Sequence, residues 1–120
     1  MNPYPLTDRT KLLLEGIIYF EGEGNYTYVY YQNGQSVLLS KSIGFLMERL
    51  PEGLFIRISR KYAIHGSELP HLILERAKRT ITFSSGTQLP VARRRMRELK
   101  AIMGVTKNTR RKKTTISVAF

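Results

Sequence analysis

Tyr26-Thr27-Tyr28-Val29-Tyr30-Tyr31-Gln32-Asn33-Gly34-Gln35-Ser36-Val37-Leu38-Leu39-Ser40 decides the fold class of this chain. Residues 26–31 are all aromatic or β-branched, the side chains that best fill a pleated surface. Asn33-Gly34 is the strongest short hairpin signal in the sequence, because both residue types accept the positive φ of tight turns, and residues 36–40 read as the returning strand. Upstream, Ile17-Ile18-Tyr19-Phe20 is apolar and β-prone, and Glu21-Gly22-Glu23-Gly24-Asn25 separates it from Tyr26. Two antiparallel strands joined by a glycine loop and followed by a hairpin predict an antiparallel sheet.

Outward from this centre the pattern changes. Residues 1–10 hold two prolines and no periodicity, an irregular lead-in, and residues 11–16 read as a short strand. On the other side, Ile43, Leu46, Met47 and Leu50 recur at helical spacing, between a start near Ser42 and a stop at Pro51. Residues 54–58 and 62–64 read as β segments interrupted by Ser59-Arg60-Lys61, and residues 72–76, 79–83 and 88–91 as three more, with a turn at Ser85-Gly86. A final helix is expected from residue 92 to about 103, with Met96, Leu99, Ile102 and Met103 inside and Arg93, Arg94, Arg97 and Lys100 outside. The expected fold is mostly β with short helices (α+β): small antiparallel β-sheets packed together, and a basic C-terminal helix. The expected organisation is a lead-in over 1–10, one domain over 11–103 and a basic tail over 104–120, in which Arg110-Arg111-Lys112-Lys113 is taken as mobile. Residues 114–120 are β-prone again, and the sequence leaves their placement open.

The 120 residues carry a net charge of +11, and its distribution is lopsided. Residues 1–53 hold 4 Lys+Arg against 6 Asp+Glu, a net of −2, whereas residues 54–120 hold 16 against 3, a net of +13. Such a split points to one surface that meets a polyanion, and charge alone admits anionic lipid, acidic protein, RNA or DNA. The densest cluster, Ala92-Arg93-Arg94-Arg95-Met96-Arg97, sits at a strand-to-helix junction. There are no cysteines, so neither disulfides nor a thiolate zinc site support the fold. The amino terminus lacks a secretory pattern, and no stretch approaches the roughly 18 apolar residues of a membrane span. The chain reads as soluble and cytoplasmic, with no membrane partner.

Four strings, in order and spacing, resemble a LytTR-type DNA-binding domain, the module at the carboxyl end of LytR/AlgR response regulators. They are Ile18-Tyr19-Phe20-Glu21-Gly22-Glu23-Gly24-Asn25-Tyr26-Thr27, the helix through Leu50, Phe55-Ile56-Arg57-Ile58-Ser59-Arg60-Lys61-Tyr62-Ala63-Ile64-His65, and Gly86-Thr87-Gln88-Leu89-Pro90-Val91-Ala92-Arg93-Arg94 leading into a helix. The resemblance spans residues 11–103. It implies a transcription regulator of small antiparallel sheets that binds duplex DNA, usually at paired direct repeats, by inserting loop side chains into successive major grooves. Carried onto this sequence, the family's contact positions are Asn25, Arg60 and Arg93. The chain departs from the family's usual His-Arg-Ser at Ser59-Arg60-Lys61, from Val-Asn at Ile64-His65 and from Ser-Arg at Ala92-Arg93. These departures bear on base preference more than on DNA binding. No receiver domain precedes residue 11, so the family's usual phosphorylation input is expected to be absent.

The chemistry of these residues fits that implication, beside blander readings. An arginine at Arg93 or Arg94 can donate two hydrogen bonds to guanine O6 and N7 or clamp a phosphate. A solvated helix face is the alternative, but cations in a first helical turn oppose the macrodipole. Arg60 and Lys61 project from an interruption between β segments, with Arg57 nearby and no acid in sequence to offset them; an ordinary polar turn is their alternative. Asn25 can pair with adenine N6 and N7, and is equally the residue expected at a left-handed turn position. Tyr26, Tyr28 and Tyr30 share one strand face and could stack single-stranded bases, yet such rows more often pack core, and core is expected here. Glu21 and Glu23 lack a nucleophile or acid–base partner, His65 and His71 lack metal-site company, and Gly22-x-Gly24 lacks a third glycine.

The reading is therefore not an enzyme, without metal or cofactor: a sequence-specific duplex DNA-binding transcription regulator with Asn25, Arg60 and Arg93 facing bases. Lys61, Arg94 and Arg97 contact phosphates. Its partners would be double-stranded DNA, a second copy on adjacent repeats, and a separate sensor or regulator protein. The rival classes are a single-stranded RNA- or DNA-binding accessory protein using the tyrosine row, and a module that binds a LytTR-type regulator and holds it off DNA.

Overall fold

The computed structural model describes residues 3–107. The chain forms two compact units, Met1–Glu68 and Leu69–Phe120. Of the tail expected over 104–120, residues 108–120 lie outside the described residues.

The first unit holds strands β1 (Tyr4–Pro5), β2 (Lys11–Leu12), β3 (Ile17–Glu23), β4 (Tyr26–Tyr31) and β5 (Ser36–Leu39), helix α1 (Ile43–Arg49), and strands β6 (Phe55–Arg57) and β7 (Tyr62–His65). Five strands form one sheet in the order β5-β4-β3-β7-β6, and every pairing is antiparallel. Its inner face collects Phe20, Val29, Leu39, Phe55 and Ala63, with Ile43, Leu46 and Leu50 of the α1 segment and Leu6, Leu12 and Ile17 in the same cluster. Phe20 is wholly buried and stacks on Phe55 with ring centroids 4.4 Å apart. Burial of a ring that size stabilises by about 2–3 kcal/mol, so this contact fixes β3 and β6 on one side of the sheet.

Helix α1 starts where the sequence predicts. The Ser42 hydroxyl caps it by accepting from Phe45 N at 3.1 Å, and the chain leaves the helix at Leu50, ahead of Pro51. Its entry lies close on β3. A Cβ at Gly22 would fall 3.1 Å from Ile43 Cγ2, so a larger residue there would force the Ile43 side chain to give way. Thr27, on the inner face of β4, is fully buried, and its Oγ1 donates to Lys41 O at 2.7 Å, which ties β4 to the approach to α1.

Several sequence expectations change here. The lead-in is not irregular throughout: β1 pairs with β2, Leu6 N and Thr7 N both donate to Thr10 O, and Leu6 is 2% exposed. The strand expected over 11–16 stops at Leu12, which pairs with Tyr4 at the start of β1, and the chain then turns through Gly16 with φ +85°. The glycine loop expected after residue 20 is mostly strand, since β3 runs on to Glu23 and leaves Gly24-Asn25 as a two-residue turn. Asn33-Gly34 does make a hairpin, but of the three-residue kind: Gly34 N donates to Tyr31 O, Tyr31 N donates to Gln35 O, and only Gly34 has positive φ.

The second unit carries β8 (Ile73–Glu75), β9 (Thr80–Thr82) and β10 (Gln88–Pro90) as an antiparallel sheet in the order β10-β9-β8, then helix α2 (Arg93–Lys107). The Ser84-Ser85-Gly86 loop repeats the Gly34 device, with Phe83 N donating to Thr87 O, Gly86 N donating to Phe83 O, and φ +97° at Gly86. Ile81, Leu89 and Val91 are buried, as are Met96, Leu99 and Met103 on α2. Helix α2 extends four residues past the expected end at 103. A 3₁₀ turn, Gly66–His71, follows β7 and was not legible in the sequence. The fold is mostly β, of small antiparallel sheets with short helices and a basic C-terminal helix, as expected.

Candidate nucleic-acid interface

Two connections of the first unit meet at one end of the five-stranded sheet. The β3–β4 turn is Gly24-Asn25, since Glu23 faces Tyr26 across it. Gly24 takes the positive φ of +62° and Asn25 does not, the pattern of a type II′ turn. The left-handed position that could have explained Asn25 is thus filled by its neighbour. Asn25 is exposed, and its side chain makes no hydrogen bond among the described residues. Its amide is free for an outside partner.

The β6–β7 connection runs through Ile58, Ser59, Arg60 and Lys61. Ile58 N and Ser59 N donate to Tyr62 O, and the Ser59 hydroxyl accepts from Lys61 N and Tyr62 N at 3.1 and 3.0 Å. Arg57 braces the loop from within the sheet: its Nε donates to Ser59 O at 2.7 Å and a terminal nitrogen donates to Arg60 O at 2.8 Å. Charge-assisted bonds of this kind are about twice as strong as neutral ones. Two of the guanidinium's bonds are therefore spent on shaping the loop, while Arg60, at its tip, is exposed.

Lys61 differs from expectation. Its ammonium sits 3.6 Å from Glu21 and 3.9 Å from Glu23, acids that lie far off in sequence but adjacent across the β3–β7 pairing. Half-exposed pairs like these contribute at most about 1 kcal/mol and yield to a stronger anion. They do hold Lys61 beside the turn. Gly22 N donates to Lys61 O at 2.6 Å, and an open depression of about 260 Å³ is lined by Gly22, Glu23, Gly24, Ile43, Arg60 and Lys61. Asn25, Arg60 and Lys61 thus share one end of one sheet.

The tyrosine row is not core. Tyr26 and Tyr28 are 51% and 38% exposed, because Thr27 and Val29 take the inner face of β4. Tyr30 stacks on Tyr19 at 4.7 Å, and Tyr19 meets Tyr62 edge-on at 6.2 Å. Tyr30 donates its hydroxyl to Glu21 at 2.9 Å, and burial together with that carboxylate pushes its pKa up to about 12. Burial and then Glu21 raise Tyr19 and Tyr62 in the same direction. Tyr30 therefore stays protonated and serves as a donor to Glu21.

On the second unit, Arg93, Arg94 and Arg97 are exposed on the first turns of α2, which has no acidic residue in its first turn. Arg93 and Arg97 lie four apart on one face, where like charges repel, and both oppose the helix dipole. Arg95 turns aside to pair with Glu98 at 3.6 Å. Residues 8–104 match the family model for the LytTr DNA-binding domain.

The chain belongs to the LytTR family. A solved LytTr DNA-binding domain, from a methyl-accepting/DNA response regulator of Bacillus cereus, has the same fold, with a TM-score of 0.64 and 17% identity over 82% of this chain and 92% of that one. No curated protein matches the sequence. The LytTR domain is a DNA-binding module of transcription regulation and not an enzyme family. Among the described residues no group of acids and histidines could hold a metal ion, and no helix is long and apolar enough to cross a membrane.

Proposed function

We propose that this LytTR domain reads duplex DNA by sequence, with loop side chains in successive major grooves and a second copy on an adjacent direct repeat. Asn25, Arg60 and Arg93 face bases, while Lys61, Arg94 and Arg97 contact phosphates. The reading is carried by Asn25 and Arg60: two exposed side chains at one end of the sheet, one released from any turn requirement and the other on a loop braced by Arg57. An asparagine offers adenine, and an arginine offers guanine, two parallel hydrogen bonds each. The electrostatic cost of clustered arginines on the first turns of α2 is consistent with a polyanionic partner.

In vitro selection of duplexes by the full chain, followed by binding to a selected and a scrambled duplex across a salt series, tests this. An enriched paired motif, with affinity lost on scrambling and on Arg60→Ala or Arg93→Ala, is expected. Equal affinity for both duplexes at every salt would sink sequence reading. The exposure of Tyr26 and Tyr28 favours one second reading, a stacking surface for single strands. Preference for a single strand, with heavy loss on Tyr26→Ala or Tyr28→Ala and little on Arg93→Ala, would put that reading first.

A further inference from the structure

The β8–β9 connection of the second unit is Arg76-Ala77-Lys78-Arg79, and every one of its residues is exposed. Arg79 has φ +51°, and it is the one non-glycine residue with positive φ among those described. A side chain with a Cβ is disfavoured there, and glycine is the residue that local stability would choose. The connection closes with Arg79 N donating to Arg76 O at 3.3 Å, a bond that any residue supplies. Neither the Arg76 nor the Arg79 guanidinium makes a hydrogen bond or ion pair among the described residues, and Lys78 reaches only Glu75, at 4.0 Å. No contact of its own guanidinium among the described residues accounts for an arginine at this strained position.

Its neighbour does. Arg79 O accepts from Val91 N at 2.8 Å, two residues before Arg93, and Thr80 pairs with Pro90. The turn is therefore fastened to the strand that delivers the first arginines of α2. Three cations are added beside a cluster already assigned to DNA.

We propose that the Arg76–Arg79 turn is a further phosphate-binding element of the domain, gripping the duplex backbone without reading bases, with Arg79 and Arg76 as its contacts. The inference rests on the duplex-binding reading above. Each phosphate contact should steepen the fall of log K with log salt by about 0.9 and add about five- to tenfold to affinity near 0.1–0.15 M salt.

The test uses the full chain with a selected duplex and a scrambled duplex of equal length. Arg79→Gly removes the charge and relieves the backbone. It should hold or raise the melting temperature, weaken binding to both duplexes about five- to tenfold, and lower the salt slope by about one. Arg79→Lys should stay near the parent affinity, Arg76→Ala with Arg79→Gly should lose a slope of about two, and Lys11→Ala, an equal charge change on an exposed site of the first unit, should leave the slope unchanged. Parent-like affinity and slope for Arg79→Gly, while the unaltered chain binds, would overturn the turn's role and leave the duplex reading standing. A lower melting temperature would overturn it too, since Arg79 would then be serving the fold. Loss confined to the selected duplex would make Arg79 a base reader, against the proposal, and an unaltered chain that binds no duplex would overturn both readings.

Discussion

At the scale of single residues, several polar side chains have their roles set by one or two partners that are distant in sequence. Lys61 is positioned by Glu21 and Glu23, and Tyr30 by Glu21. His65 shows how a partner close in sequence couples to pH. Its Nδ1 accepts from Ser67 N at 3.0 Å, which requires the neutral ring, and burial lowers its pKa below 6.5, with Glu68 opposing more weakly. Because the folded pKa is depressed, the unfolded chain binds more protons between the two values, so stability is lost as pH falls below about 6.5. Chemical denaturation between pH 7.5 and 5.5 should show that loss, and His65→Asn, which keeps an acceptor but cannot titrate, should flatten it. An unchanged slope in the variant would assign the pH dependence elsewhere.

At the scale of elements, the β6–β7 hairpin shows how a strand residue governs a loop. Arg57 makes no claim on DNA in this reading; its hydrogen bonds to Ser59 O and Arg60 O set where Arg60 points. Arg57→Lys keeps the charge but lacks the planar fork that reaches two carbonyls. It should cut the preference for a selected over a scrambled duplex about tenfold while the salt slope stays put, measured by competition binding. A fall in slope instead would make Arg57 itself a phosphate contact. The sequence displayed this arginine inside the Phe55 to His65 string but not its role, because the brace exists only once the loop has folded back. The same limit explains the tyrosine row: period-two alternation put Tyr26, Tyr28 and Tyr30 on one face, and only the packing of α1 and of Leu6 and Leu12 against the opposite face decided that this one is the outer.

At the scale of the whole molecule, the charge split of −2 and +13 between residues 1–53 and 54–120 dominates. Lys61, Arg94 and Arg97 on phosphates account for a salt slope of about −3, and the two arginines of the β8–β9 turn should bring it to about −4.5. The cations at 110–113 lie outside the described residues, and their number suits nonspecific reinforcement. Ending the chain after Lys107 should weaken binding to selected and scrambled duplexes equally. Loss of discrimination on that truncation would instead give the segment a reading role.

The sequence alone determined the fold class, the family and the positions of the exposed arginines. Strand alternation, turn glycines and helical spacing are local properties that neighbours in the chain impose on one another. Tertiary structure alone decided that Lys61 is held by two carboxylates, that Arg57 shapes the loop it precedes, that the tyrosines face out, and that the Arg79 turn lies beside the start of α2. Each of these depends on which strands pair, in what register and what packs against them, and such contacts join residues that sequence spacing leaves apart.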